Sequence, residues 1–276
     1  VGAGPAGLTC AHYLARLGYL VDIYEKMDET GGMLKWLFES KRVPNSVLSR
    51  EISNSLLPNI TLHSGQSLGK DFSITDLKNT YDAVFLSCGL LDSRCKHYEF
   101  AYSSKCEHGL PFLEKFKEEL GFTQGLKIMI VGSTFLAECI ADKALNAGSS
   151  HIYMLDENYD NESKYKKDRL ISLKEKGVHL LINKTHNEFN QIAEDVDFLV
   201  LADKQNQTID HKTSNHLVKN LGIQFDSWVN PTNHLVSGQN KIFAGGNMIG
   251  GPRSLEEVIR DGRNAALSIN NILKGL

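Results

Sequence analysis

A glycine-rich turn at the start of the sequence could hold a diphosphate. Residues 1–7 read VGAGPAG, which places the pattern GxGxxG on Gly2, Gly4 and Gly7. In such a turn the first glycine permits the tight bend, the second lets the backbone approach a pyrophosphate, and the third allows the next helix to lie close to the sheet. The phosphates would then face the N–H groups and the positive dipole end of that helix.

The residues after the turn have the spacing that this chemistry needs. Apolar residues from Leu8 to Leu17 recur at helical spacing, and a short β-branched and aromatic run then ends in Glu25. A carboxylate at this position can accept hydrogen bonds from both ribose hydroxyls of an adenosine. The sequence therefore predicts a dinucleotide site, although a structural glycine turn in an empty Rossmann domain remains an alternative.

A second unit repeats this order of elements. Residues 126–131 predict a strand, Gly132 opens a turn, a helix is predicted as far as Ala147, and the strand 151–156 again ends in an acid. The distance from the first glycine to the acid is nearly the same in both copies. The repeat indicates an α/β protein with two Rossmann-like, three-layer dinucleotide-binding domains, the second inserted into the first.

The repeat also sets the predicted boundaries. Only Val1 is present of the strand that should enter the first turn, which indicates that the sequence is a fragment of a longer chain. We expect poor solubility if these residues are expressed alone, because the neighbouring strands would be unpaired. Residues 33–44 are predicted to be extended. The first domain takes residues 1–95 and 241–276, a linker region takes 96–124, and the second domain takes 125–240.

Composition excludes several classes of protein. The 276 residues are 41% hydrophobic and carry a formal net charge of −3, which argues against a protein that mainly neutralises nucleic acid or an anionic membrane. No apolar run is long enough for a membrane span. Five cysteines without a CxxC pair indicate reduced thiols in a cytoplasmic protein and argue against disulfide exchange of the thioredoxin-reductase type. The histidines and cysteines lack zinc-ligand spacing, so no metal site is predicted.

The motifs at both ends of the chain resemble those of a known family. Residues 1–34, 83–89 and 242–266 are similar to the FAD- and NAD(P)H-binding module of the glutamate synthase small subunit and of dihydropyrimidine dehydrogenase, and more distantly to adrenodoxin reductase. Such enzymes pass a hydride from NAD(P)H to FAD and send electrons singly through iron–sulfur clusters. The resemblance implies FAD, NADH or NADPH, and iron–sulfur clusters in a partner domain or subunit that serves a downstream acceptor enzyme.

The resemblance also assigns cofactor contacts, but no catalytic side chain, because hydride transfer between stacked rings depends on positioning. Arg42 would reach the pyrophosphate or a ribose, unless it is a surface residue. Leu68 would offer its backbone to the adenine, unless it is ordinary core. A C-terminal helix that begins near Leu255 would direct its N-terminus at the flavin and stabilise the reduced ring. The implied FAD contacts are Gly2, Ala3, Gly4, Pro5, Ala6, Glu25, Lys26, Gly32, Met33, Arg42, Leu68, Gly246 and Asn247.

The residues of the second domain that should hold the nicotinamide cofactor are Gly132, Thr134 and Asp156. Gly132 follows the family pattern, but the other two positions depart from it. Thr134 stands where a glycine should let the backbone approach the pyrophosphate. Asp156 and the acid after it would repel a 2′-phosphate, which favours NADH over NADPH. In the first domain Asn247 replaces an acid that bonds the flavin side chain. We therefore expect the second domain to bind nicotinamide cofactor poorly, or to prefer NADH.

Two other functions remain open at this level. The second turn lacks the glycine that the family pattern has at this position, which favours a non-catalytic scaffold that keeps the fold with or without FAD. A stand-alone flavin reductase or monooxygenase would need no iron–sulfur partner. The intact first turn, with its acid at Glu25, favours the electron-input module.

Overall fold

The chain divides into two compact units, Val1–Ser93 with Thr208–Leu276 and Arg94–Gln207. The second unit is inserted into the first, and both are α/β with parallel strands, as the sequence predicts. None of the described helices is both long and apolar enough to cross a membrane. The computed structural model describes residues 1–38, 44–89, 105–156, 164–182, 186–202, 233–236, 240–250 and 254–275.

The first unit has two pairs of parallel strands: β1 (Val21–Tyr24) pairs with β2 (Ile60–His63), and β3 (Val84–Leu86) pairs with β9 (Ile242–Ala244). The backbone of the first two residues joins them: the Val1 amine donates to the Phe85 carbonyl oxygen at 2.7 Å, and the Gly2 N–H donates to that of Tyr24 at 2.8 Å. The described elements of this unit are α1 (Pro5–Arg16), β1 (Val21–Tyr24), α2 (Met33–Phe38), α3 (Asn45–Ser55), β2 (Ile60–His63), α4 (Ile74–Thr80), β3 (Val84–Leu86), β9 (Ile242–Ala244), α9 (Asn247–Gly250) and α10 (Leu255–Leu273).

The helices α1 and α10 lie against each other at small residues. A side chain at Gly262 would overlap the Ala6 carbonyl oxygen, so this close approach requires glycine in α10. Phe243, Ala265 and Ala266 are fully buried in the same cluster. The apolar face of the C-terminal helix is thus fixed to the helix that follows the first glycine turn.

The second unit contains one five-stranded parallel sheet in the order β4-β8-β5-β6-β7. Its core is formed by inward-facing residues of the central strands, such as Met129, Leu155 and Leu199, which are at most 1% exposed. The described elements are β4 (Cys106–His108), α5 (Gly109–Glu118), β5 (Lys127–Val131), α6 (Phe135–Asn146), β6 (His151–Asp156), α7 (Lys164–Glu175), β7 (His179–Ile182), α8 (His186–Glu194) and β8 (Phe198–Leu201).

The described part of the segment interpreted as a linker, residues 105–124, belongs to the second unit. Strand β4 pairs with β8, and α5 buries Phe112 and Phe116 completely. The Phe112 ring centroid lies 5.2 Å from those of both Phe122 and Phe198, in edge-to-face geometry. The linker interpretation is wrong here, because these aromatic side chains form core contacts that sequence spacing does not reveal.

Two further expectations differ from the structure. Residues 33–38 form helix α2 instead of an extended segment, and its first turn begins with hydrogen bonds to Gly31 and Gly32. The second domain was expected to continue to residue 240, but residues 233–236 pair with β9 of the first unit. There the Val236 N–H donates to the Ile242 carbonyl oxygen at 2.8 Å. An antiparallel partner this short carries too few residues to be recognised by alternation.

Candidate functional site

Two glycines of the first turn are required by the packing of the turn itself. Gly2 has a φ of +94°, and a Cβ on it would lie 2.5 Å from the Ser87 carbonyl oxygen. A Cβ on Gly7 would overlap the Gly2 carbonyl oxygen and lie 2.8 Å from Ser87 Oγ. Both positions therefore hold the turn against the loop that follows β3.

The middle glycine, Gly4, faces open space. It is the N-cap of α1, with a φ of −77°, and a Cβ there would meet no heavy atom of the described residues within 4 Å. Pro5 follows at the first helical position, where its missing N–H costs nothing. The first N–H groups of a helix have no intrahelical partner, and Gly4 has no side chain that competes for them. A diphosphate fits this cradle, because it needs both room and free donors.

Glu25 connects the turn to the strand that follows it. Its side chain is only 8% exposed. The carboxylate accepts from the Ala3 N–H at 2.6 Å through Oε2 and from the Met27 N–H at 2.9 Å through Oε1. Each carboxylate oxygen has a second lone pair. Glu25 therefore fixes the turn and still keeps acceptor capacity for ribose hydroxyls.

Two distant segments approach the same turn. The Gly31 N–H donates to the Ala3 carbonyl oxygen at 2.8 Å, and a Cβ on Gly32, at φ +53°, would lie 2.9 Å from Gly4 Cα. From the C-terminal segment Gly246, at φ +73°, comes so close that a Cβ would lie 3.1 Å from Ala6 Cβ. The structure thus brings together predicted residues from four parts of the chain.

Asp261 is a residue of this site that the sequence analysis did not assign. Its carboxylate lies in α10, is 7% exposed, and accepts from the Gly246 N–H at 2.9 Å. A charged acceptor on a backbone N–H holds the glycine in its left-handed conformation beside the first turn. Two features of the sequence mark it: it is an acid in an otherwise apolar stripe of the C-terminal helix, and it lies within the segment 242–266 that resembles the family.

The other predicted contacts differ in how closely they reach the turn. Lys26 is exposed and Met33 is the first residue of α2. Leu68 buries its side chain in a core cluster of the first unit, as the alternative interpretation expected. Asn247 begins the short helix α9, and Arg42 lies outside the described residues. The roles of these five residues toward a cofactor stay predictions.

The C-terminal helix is present as expected, but its first turn is already capped. Ser254 Oγ accepts from the Glu257 N–H at 3.2 Å, and Glu257 Oε2 accepts from the Ser254 N–H at 2.9 Å. Glu256 and Glu257 also place negative charge in this turn. This end of α10 is therefore less suited to an anionic ring than the uncapped start of α1.

The second glycine turn is closed by a side chain. Gly132 takes a φ of +110° and its N–H donates to the Leu155 carbonyl oxygen at 3.0 Å, so the bend resembles that of the first unit. At the N-cap of α6, however, Thr134 Oγ1 accepts from the Ala137 N–H at 3.3 Å. The predicted sugar-binding acid, Asp156, is 3% exposed. A nicotinamide dinucleotide fits this turn less well than a dinucleotide fits the first.

Two cysteines, Cys10, which is buried, and Cys106, which is partly buried, give a testable consequence. Burial raises the pKa of Cys10 to about 12, and burial together with the charge of Glu107 raises that of Cys106 to about 11. Only the thiolate reacts, so at pH 8 we expect both to be alkylated by iodoacetamide more than about 100-fold slower than a cysteine of ordinary pKa. Peptide mass spectrometry measures this, with the guanidinium-unfolded protein as the fast control. Rapid labelling of the folded chain at either site would contradict the burial.

Comparison with known proteins connects these observations to a group of enzymes. A family model described as an NAD(P)-binding Rossmann-like domain matches residues 1–49. The NADPH-Fe(3+) oxidoreductase subunit beta of Geobacter sulfurreducens is 34% identical over 160 residues, 56% of this chain and 24% of that protein. The NAD-dependent dihydropyrimidine dehydrogenase subunit PreT homolog of Salmonella typhi is 24% identical over 99% of this chain and 68% of its own length.

A solved structure shows the same fold. Mycobacterium tuberculosis FprA in complex with NADPH matches with a TM-score of 0.66 over 99% of this chain and 84% of that chain, at 11% identity. The chain spans about a quarter of the length of the Geobacter relative. The sequence matches confirm the resemblance to the dihydropyrimidine dehydrogenase group, and the structural match confirms the two-domain dinucleotide-binding fold.

Proposed function

We propose that this relative of NAD(P)-linked oxidoreductase subunits binds FAD in its first unit, accepts a hydride from NADH or NADPH, and passes electrons to an iron–sulfur partner. One observation carries the proposal: the start of α1 is open at Gly4 while the buried carboxylate of Glu25 lies against the same turn. An adenine dinucleotide needs both features, one for its diphosphate and one for its ribose.

Different residues of the first unit would bind different parts of the cofactor. The backbone N–H groups of Gly4, Ala6 and Gly7 would donate to the diphosphate, and Glu25 would accept from the ribose. Gly32 and Gly246 would let two loops close on the turn without a side chain in the way. Asp261 would keep Gly246 in place. Bound FAD supplies an acceptor for two electrons that can be released one at a time.

The iron–sulfur partner and the downstream acceptor are inferred from the relatives. The Geobacter relative is named as a subunit of an NADPH-Fe(3+) oxidoreductase, and this chain spans only part of it. We propose that iron–sulfur clusters lie outside this segment, in a partner domain or subunit. A cytoplasmic location is supported by the four described cysteines, Cys10, Cys88, Cys106 and Cys139, which are free thiols.

The nucleotide preference is a separate part of the proposal. The names of the relatives include both NADPH and NAD. Asp156 at the end of β6 favours NADH, because a carboxylate there repels a 2′-phosphate. The closed turn at Thr134 favours a second candidate function, a flavin-binding scaffold that does not react with nicotinamide cofactor.

Titration of the purified full chain distinguishes these functions. We expect added FAD to bind with a dissociation constant in the micromolar range or below, measured by quenching of flavin fluorescence. Anaerobic NADH or NADPH should then bleach the flavin absorbance, and ferricyanide should restore it. A chain that takes up no FAD would contradict the proposal. Bound flavin that neither nucleotide reduces would support the scaffold instead.

A further inference from the structure

The two glycine turns of this chain differ at one equivalent position. In the first unit the N-cap of the helix is Gly4, where a Cβ would meet no described heavy atom within 4 Å. In the second unit the N-cap is Thr134. The two caps have similar backbone angles, φ −77° and ψ −178° at Gly4 against φ −73° and ψ 167° at Thr134. The difference therefore lies in the side chain and not in the path of the backbone.

The Thr134 hydroxyl makes two hydrogen bonds inside the turn. Oγ1 donates to the Ala202 carbonyl oxygen at 2.5 Å and accepts from the Ala137 N–H at 3.3 Å. Ala202 follows β8 and is itself held by its N–H, which donates to the Val131 carbonyl oxygen at 2.8 Å. The hydroxyl thus ties the start of α6 to the end of a neighbouring strand.

This arrangement occupies the donor that a phosphate would use. A diphosphate at a helix start binds the first backbone N–H groups. Here the Ala137 N–H already has an oxygen acceptor, and the Thr134 side chain takes the space that is open at Gly4. Because the tie to Ala202 holds the hydroxyl in place, a dinucleotide has to displace it before its phosphates can approach.

We propose that Thr134 acts as a latch, meaning that its hydroxyl has to break its bonds to Ala137 and Ala202 before the diphosphate of a nicotinamide dinucleotide can bind. The side chain thereby lowers the affinity of the second unit for the dinucleotide. This inference rests on the proposed function, since it concerns the nicotinamide half of that reaction. It makes reduction of the flavin limited by nucleotide binding. The site is opened by a single side-chain change.

Three substitutions separate the hydroxyl from the rest of the side chain. T134S keeps the hydroxyl, T134A removes it but keeps Cβ, and T134G recreates the first turn. One neutral hydrogen bond of ordinary net strength corresponds to about fivefold in a binding constant, and two correspond to about thirtyfold. We expect T134A and T134G to bind NADH or NADPH about tenfold more tightly than the natural chain, with T134G the tightest and T134S close to the natural value.

The measurement uses the full chain before FAD is added, so that the nucleotide is not oxidised, and it follows the fluorescence of NADH and of NADPH at equilibrium. The matched control is Ser73→Ala, which removes the N-cap of α4 in the first unit, and should leave nucleotide affinity unchanged. Melting temperatures show whether each variant is folded, since loss of a helix cap lowers stability without tightening binding. A merely structural cap predicts lower melting temperatures and no gain in affinity.

The outcomes separate the latch from the proposed function. Unchanged or weaker nucleotide binding by T134A and T134G would overturn the latch. If no variant bound either nucleotide, the latch would also be wrong, because opening the turn should create binding. FAD uptake, measured on the same samples, reports on the first unit alone. A protein that bound no flavin but gained nucleotide affinity would support the latch and contradict the proposed function.

Discussion

Replacing Gly7 with alanine should destabilise the first unit and abolish FAD binding. The new methyl group would overlap the Gly2 carbonyl oxygen and come within 2.8 Å of Ser87 Oγ. That carbonyl oxygen cannot rotate away easily, since it accepts a hydrogen bond from Ser87 Oγ at 3.2 Å. Overpacking against backbone costs about 3 kcal/mol, which corresponds to a fall of roughly 5–10 °C in melting temperature.

Two other alanine substitutions make this a sharp test. Gly121→Ala is the neutral control, because its methyl group would lie 3.9 Å from the nearest atom, Gln124 Oε1. Gly4→Ala should lower the melting temperature much less than Gly7→Ala, since alanine is only a poorer N-cap. It should still weaken FAD binding, because its methyl group fills the open side of the turn. If the G7A protein had the same melting temperature as the natural chain, the close contact at the turn would be absent.

Replacing Glu25 with alanine should raise the dissociation constant of FAD about 100-fold. The change removes the acceptor that we propose for the ribose, and it releases the Ala3 and Met27 N–H groups that hold the turn. Hydrogen bonds to charged groups contribute about 1.5–3 kcal/mol each, and 2.7 kcal/mol is about 100-fold. Fluorescence titration with FAD measures the change. The glutamine variant keeps the shape of the side chain and one acceptor oxygen, so its dissociation constant for FAD should rise only about tenfold.

Charge and folding are controlled separately in this experiment. Asp28→Asn removes the same charge as Glu25→Gln from an exposed position three residues away, and FAD binding should not change. Circular dichroism confirms that each variant is folded. An E25A protein that bound FAD as the natural chain does would exclude the assigned role of this carboxylate.

The strongest sequence patterns predicted the elements that build the site. Glycine spacing, helical periodicity after Leu8 and the apolar strand before Glu25 are local features, and each was found at its predicted place. Strand β4, Cys106–His108, has no β-branched residue and is a strand only because β8 pairs with it. Helix α2 begins with hydrogen bonds to the carbonyl oxygens of Gly31 and Gly32. In the sequence alone, two adjacent glycines predict a loop and not the start of a helix.

The contacts that complete the site join residues far apart in sequence. The bond from the Gly246 N–H to Asp261 and the one from Thr134 to Ala202 each depend on the tertiary fold. A sequence pattern can mark Thr134 as an unusual residue in a glycine turn. It cannot place the carbonyl oxygen that holds the hydroxyl, because that oxygen comes from another strand.

The insertion of one unit into the other has a consequence for biosynthesis. Strand β3 pairs with β9, which leaves the ribosome only after the whole inserted unit has been translated. The inserted unit is continuous in sequence, so it can collapse while the rest of the nascent polypeptide is still being made. The cradle around Gly4 is completed only after Gly246 and Asp261 have also been translated. The FAD site that we propose can therefore form only after the inserted unit has been made.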